Sequence, residues 1–115
     1  MTQTITRDEL KAGLDAGTIT AVDALPQSYY ARQHLPGALN LVADDVRDRA
    51  AQLLPAKDAA VVTYCSNTAC PNSHQVATLL ERLGYTDVRV YRDGIQDWAE
   101  AGLPVETGLP LRSGS

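Results

Sequence analysis

Apolar positions along the chain follow two alternating rhythms. Leu10 and Leu14 have helical spacing. Thr6 and Glu9 have the spacing of a capping box, and Ile5 is placed to staple onto Leu10. Gly17 stands just past the last turn, where a left-handed stop fits. Residues 18–24 (TITAVDA) then read as a strand rich in β-branched side chains. Residues 26–32 predict a turn and a short helix capped by Ser28, and residues 38–41 a short strand after the Pro36-Gly37 turn. Asp44 or Asp45 is placed to cap a helix carrying Val46, Ala50 and Leu53, which Pro55 ends. An apolar run over residues 59–64 predicts a strand. Val76, Leu79, Leu80 and Leu83, at i, i+3, i+4 and i+7 before Gly84, predict a helix. Residues 87–91 (DVRVY) predict another strand and Asp93-Gly94 a turn. Ile95, Trp98 and Ala99 mark a short amphipathic helix closed by Gly102 and Pro104.

With residues 2–5 counted as a marginal edge strand, the pattern alternates about five strands with five helices. That is an α/β fold: a mostly parallel sheet with helices on both faces. Ligands in such folds bind outside the carboxyl ends of the strands. The 115 residues suit one domain, expected over residues 1–108. Residues 109–115 lack periodicity and read as a frayed tail.

Composition narrows the function. A net charge of −4 offers no basic patch for nucleic acid or an anionic membrane, and the apolar runs are too short to span a bilayer. The first residues show no secretory signal, and the chain has 2 cysteines, which points to a reducing compartment, with the cytoplasm as the default. There is no phenylalanine, so aliphatic side chains must fill most of the core.

The chemistry concentrates where the strand at 59–64 stops. Cys65 follows it directly, then small and polar residues, Ser66-Asn67-Thr68-Ala69-Cys70-Pro71, and then a helix start. Unpaired amides and the dipole at a helix start favour an anion. A thiolate held there has a lowered pKa. The competing reading is that Cys65 is a small buried residue at a strand end. Two other polar residues read as structural. Asp23, closing its strand, is expected to bond to loop backbone, and His34, beside the Pro-Gly turn, to hold its loop through the backbone.

Three separated stretches resemble one family. Residues 30–41 (YARQHLPGALNL), preceded by Val22-Asp23, are similar to the "E-Y-x-x-G-H-I-P-G-A-I-N" signature of rhodanese-like domains and the "D-x-R" strand before it. Residues 90–105 (VYRDGIQDWAEAGLPV) are similar to that family's "L-x-G-G-x-x-x-W-x-x-x-G-x-P-V" ending. Tyr64-Cys65 falls where the family keeps its active-site cysteine. The resemblance runs over roughly residues 3–106 in the family's order. It implies a five-stranded parallel sheet and a sulfurtransferase. Cys65 would be nucleophile and persulfide carrier. The amides of Ser66, Asn67, Thr68, Ala69 and Cys70 would cradle the transferred sulfur. The partners implied are a small sulfur donor, thiosulfate or a thiol persulfide, and a thiol or cyanide acceptor. No cofactor is implied.

The chain also departs from the family pattern. The D-x-R arginine is absent, Gln33 replaces a glycine before His34, and Asp93 replaces the first glycine of the later pair. The loop after Cys65 is about two residues longer than the common "C-x-x-G-x-R-[AS]" form and holds no arginine or lysine to fork onto an oxyanion. Cys70 opens an alternative, a dithiol or redox-gated protein in which Cys70 resolves a Cys65 persulfide. Cys65, Cys70 and His74 fall short of the usual zinc patterns, so no metal is expected. A catalytically silent, rhodanese-like binding module is the remaining alternative.

Overall fold

The computed structural model describes residues 3–108. The three central strands sort their side chains between two cores, as the period of two requires. In β4 (Ala60–Tyr64), Val62 and Tyr64 join one core while Val61 joins the other. β2 (Ile19–Asp23) divides Ala21 from Val22, and β5 (Val88–Tyr91) divides Tyr91 from Val88 and Val90, in the same way. With β1 (Gln3–Thr4) and β3 (Leu39–Asn40) these make a five-stranded sheet in the order β1-β5-β4-β2-β3, parallel throughout. The expected α/β, rhodanese-like architecture is present.

One face is covered by α1 (Arg7–Ala16), α2 (Gln27–Arg32) and α5 (Gly94–Glu100), through Leu10, Tyr30, Ile95 and Trp98. The other is covered by α3 (Val46–Leu53) and α4 (Asn72–Arg82), through Val46, Ala50, Val76, Ala77 and Leu80. The first helix forms as its sequence dictates. Glu9 N donates to Thr6 Oγ1 at 3.2 Å and Thr6 N to Glu9 Oε1 at 3.1 Å, closing the capping box. Gly17 ends the helix at φ 72°.

Several expectations are corrected. Ser28 lies inside α2 rather than at its cap, where Pro26 stands, and no side chain caps that helix. Asp44 and Asp45 sit in a 3₁₀ turn, Ala43–Asp45, ahead of α3. Asp45 there has φ −99° and ψ −8°, helical rather than extended, so its carboxylate does not cap. β3 is shorter than residues 38–41. At its end the Asn40 side-chain amide donates to Leu25 O at 2.7 Å and Asp23 O at 3.2 Å, and Leu41 N donates to Asp23 O at 3.0 Å. Thr2 and the expected tail at 109–115 lie outside the described residues.

Candidate active site

β4 delivers Cys65 to the carboxyl end of the sheet, and α4 begins at Asn72. The span between them is shaped by Asn67. Its Oδ1 accepts Ala69 N at 3.0 Å, and its carbonyl accepts Cys70 N at 3.1 Å, a side-chain-supported turn. α5 holds the near end of the span: Ile95 N donates to Cys65 O at 2.9 Å and Gln96 N to Ser66 O at 3.0 Å. Gly94, at φ 73°, permits this approach, because a Cβ there would stand 2.5 Å from the Ser66 carbonyl carbon and 2.6 Å from Cys65 O. Thr63 Oγ1 donates to Ser73 O at 2.9 Å and holds the far end.

Within this frame Cys65 is 1% exposed. Its thiol faces Cys70 O at 3.2 Å and Ser73 Oγ at 3.6 Å. A carbonyl only accepts, so the short contact to Cys70 O favours S–H over thiolate. Burial pushes the Cys65 thiol up, and the Cys70 side chain beside it adds to this. The hydroxyl and amide of Ser73 pull only partly the other way. Cys70 is half-buried. Burial alone would raise it, but the Cys65 S–H, the amides of Asn72 and Ser66 and the Ser66 hydroxyl outweigh that and hold Cys70 below the usual thiol range.

The loop brings both cysteines together, and its polar groups draw Cys70 down while burial lifts Cys65. Of the residues expected to cradle sulfur at Cys65, Ala69 and Cys70 spend their amides inside the Asn67 turn. Ser66 serves Cys70. Thr68 and Ala69 are exposed at the loop's crest, and Asn67 Nδ2 reaches Gln96 Oε1 at 3.1 Å.

Beside Ser66 lies a cleft of about 540 Å³, lined by Leu25, Tyr29, Arg32, Gln33, Ser66 and four residues of α5. Tyr29 is 51% exposed there, with the Arg32 guanidinium 5.9 Å from its ring centre. Arg32 thus places a cation on the wall of this cleft, with Glu100 on the same lining. His74 is exposed on the first turn of α4. Among the described residues no three His, Cys, Asp or Glu side chains cluster to hold a metal ion.

A buried polar group supports the strand ends. Asp23 Oδ1 accepts Leu25 N at 2.8 Å, as expected of a loop-bonding carboxylate. Burial pushes Asp23 up to about 6, against the pull of the Leu25 amide, the nearby Tyr64 hydroxyl and His34. Oδ2 has no hydrogen-bond partner among the described residues. His34 bonds Tyr30 O through Nδ1 at 2.7 Å, stacks on the Tyr30 ring and exchanges backbone hydrogen bonds with Glu106. It holds a loop, as its sequence setting indicates.

Comparison with known proteins decides the family. The pattern described as "Rhodanese-like domain" matches residues 6–101. The chain belongs to the rhodanese-like domain family. It is 36% identical over 110 residues to the HTH-type transcriptional regulator Rv0324 of Mycobacterium tuberculosis, covering 96% of this chain and 47% of that protein. It is 33% identical over 67 residues to the thiosulfate sulfurtransferase PspE of Escherichia coli, covering 58% of this chain and 62% of that one. The chain thus spans about half to three-fifths of these relatives. The BH2092 protein of Bacillus halodurans shares the fold, with TM-score 0.84, 23% identity, and coverage of 92% of this chain and 77% of that one.

The rhodanese-like signatures acquire physical meaning here. The tryptophan of the family's ending, Trp98, donates Nε1–H to Pro104 O at 2.8 Å, tying the chain after α5 to the core. Its second glycine is Gly94, which clamps the cysteine loop. Sequence reasoning missed Ser73, Gln96 and Arg32 as neighbours of the site. Gly94 was legible as a turn. A serine in the first turn of the helix after a cysteine loop was the available signal for Ser73.

Proposed function

We propose that this rhodanese-like domain transfers sulfane sulfur through a persulfide on Cys65. The observation that carries the reading is the placement of Cys65 at the carboxyl end of a central parallel strand, beside a cleft of about 540 Å³. A Cys65 thiolate attacks the outer sulfur of a thiosulfate or thiol persulfide donor. The S–S bond breaks, and sulfite or a thiolate leaves with the bonding pair. An acceptor thiol or cyanide then takes the sulfur in a second half-reaction, which gives ping-pong kinetics. Because Cys65 is sealed at rest, the donor must displace residues 67–71. The side-chain tie from that stretch to α5 is the exposed Asn67–Gln96 contact. Arg32 at the cleft mouth attracts anionic donors. The test is intact mass after exposure to thiosulfate or to glutathione persulfide. In the Cys70→Ser background, where no second thiol can displace the bound sulfur, the protein should gain one sulfur and Cys65→Ala/Cys70→Ser none; equal gain in both would remove Cys65 as carrier.

The 36% identity to a transcriptional regulator of which this chain spans 47% favours a second reading, a sulfur-responsive module within a longer protein. In that case loading is stoichiometric and turnover with any acceptor is negligible.

A further inference from the structure

Sulfur bound at this loop meets a second thiol. Cys70 packs against the cluster that contains Cys65, and the Cys65 thiol points at the Cys70 residue itself, 3.2 Å from its carbonyl oxygen. The neighbouring amides of Asn72 and Ser66 and the Ser66 hydroxyl draw the Cys70 thiol below its usual range, which raises its thiolate fraction. Both ends of the loop are tied, by α5 at Cys65 and Ser66 and by Thr63 at Ser73, so Cys70 returns beside Cys65 when the loop closes over bound sulfur. Family sulfur transfer needs none of these features at Cys70.

We infer that Cys70 resolves the Cys65 persulfide, closing a Cys65–Cys70 disulfide and expelling the bound sulfur as hydrogen sulfide. The inference rests on the sulfur-transfer reading above, because Cys65 must first be loaded. In the step itself the Cys70 thiolate attacks the inner sulfur of Cys65–S–SH. The Cys70–Cys65 bond forms and the inner–outer S–S bond breaks. The outer sulfur leaves as HS⁻ with the bonding pair and takes a proton from water to become H₂S. The two cysteine sulfurs are oxidised together by two electrons, and the sulfane sulfur is reduced by the same two, so no outside oxidant is needed. The substrate class is a thiol persulfide, R–S–SH, which loads Cys65 and leaves as R–SH. One encounter thus yields free sulfide and an oxidised loop, and the loop stays oxidised until an external thiol reduces it. The domain records contact with reactive sulfur as a disulfide.

The test uses the whole chain and glutathione persulfide under anaerobic conditions without reductant, reading intact mass and evolved sulfide. The Cys65→Ala/Cys70→Ala double variant is the blank. The wild type should lose two hydrogens and release close to one equivalent of sulfide. Cys70→Ser and Cys70→Ala should instead keep one added sulfur and release none above blank. A wild type that holds the added sulfur as stably as the Cys70 variants, without excess sulfide, overturns the resolving role and leaves sulfur transfer standing. No mass change in any form overturns both. If a variant fails to fold, the wild type alone still decides: loss of two hydrogens with sulfide release supports the resolving role, and a retained sulfur overturns it.

Discussion

The Cys65 thiol lies 3.2 Å from the carbonyl oxygen of Cys70. That contact makes the buried sulfur a donor and leaves its half-buried neighbour as the more acidic member of the pair. Iodoacetamide near neutral pH should therefore modify Cys70 well before Cys65, by roughly tenfold for each pKa unit between them and by more for the difference in exposure. Peptide mapping against time checks this. Equal labelling rates would mean that the cradle does not select Cys70.

Gly94 bears on both stability and chemistry. Its φ of 73° and the close approach of Ser66 leave no room for a side chain. Gly94→Ala should cost roughly 1–3 kcal/mol in urea unfolding. It should also push the Cys65–Ser66 backbone off Ile95 and Gln96, so loading of Cys65 falls with it. An unchanged midpoint would show that α5 moves aside freely.

Asp23 gives the fold a pH signature. Burial first, opposed by the Leu25 amide, Tyr64 and His34, lifts it from 3.8 to about 6. A carboxyl raised in the folded state favours folding when protonated. Its contribution is full below the unfolded value and is lost as pH rises through about 6. The loss amounts to roughly 3 kcal/mol by linkage. Comparing urea midpoints of wild type and Asp23→Asn from pH 4 to pH 7 isolates it, with Asn the flatter profile. Parallel profiles would place the titration elsewhere.

Arg32 should set affinity for anionic donors. An exposed ion pair is worth up to about 1 kcal/mol, so Arg32→Ala should raise KM for thiosulfate up to roughly fivefold and leave kcat nearly unchanged. The effect should fade at high salt. A fall in kcat with KM unchanged would argue that Arg32 acts on the reacting sulfur instead.

The order of elements was legible because parallel strands buried on both faces appear as short β-branched runs, and the helices between them keep their own period. The capping box of Thr6 and Glu9 was legible because all of its parts lie within one turn. The caps assigned to Ser28 and Asp45 were not, since capping depends on one residue's backbone angles and composition does not set these. At the site, the position of Cys65 could be read from where its strand stops. Which thiol is the more acidic could not. That choice depends on where the Cys70 carbonyl points, and the Asn67 turn and the hold of α5 from about 30 residues downstream in sequence fix that direction. Arg32 was hidden for a similar reason: only folding carries α2 to the cleft beside Ser66.

The lone indole of the chain, Trp98, belongs to the same packed cluster as Cys65 and sits on the helix whose first amides grip the loop. Thiolates and disulfides quench indole emission at short range. The fold thereby carries an optical gauge on the helix that grips the cysteine loop. Its brightness should follow the oxidation state of the sulfurs in real time, with no label attached.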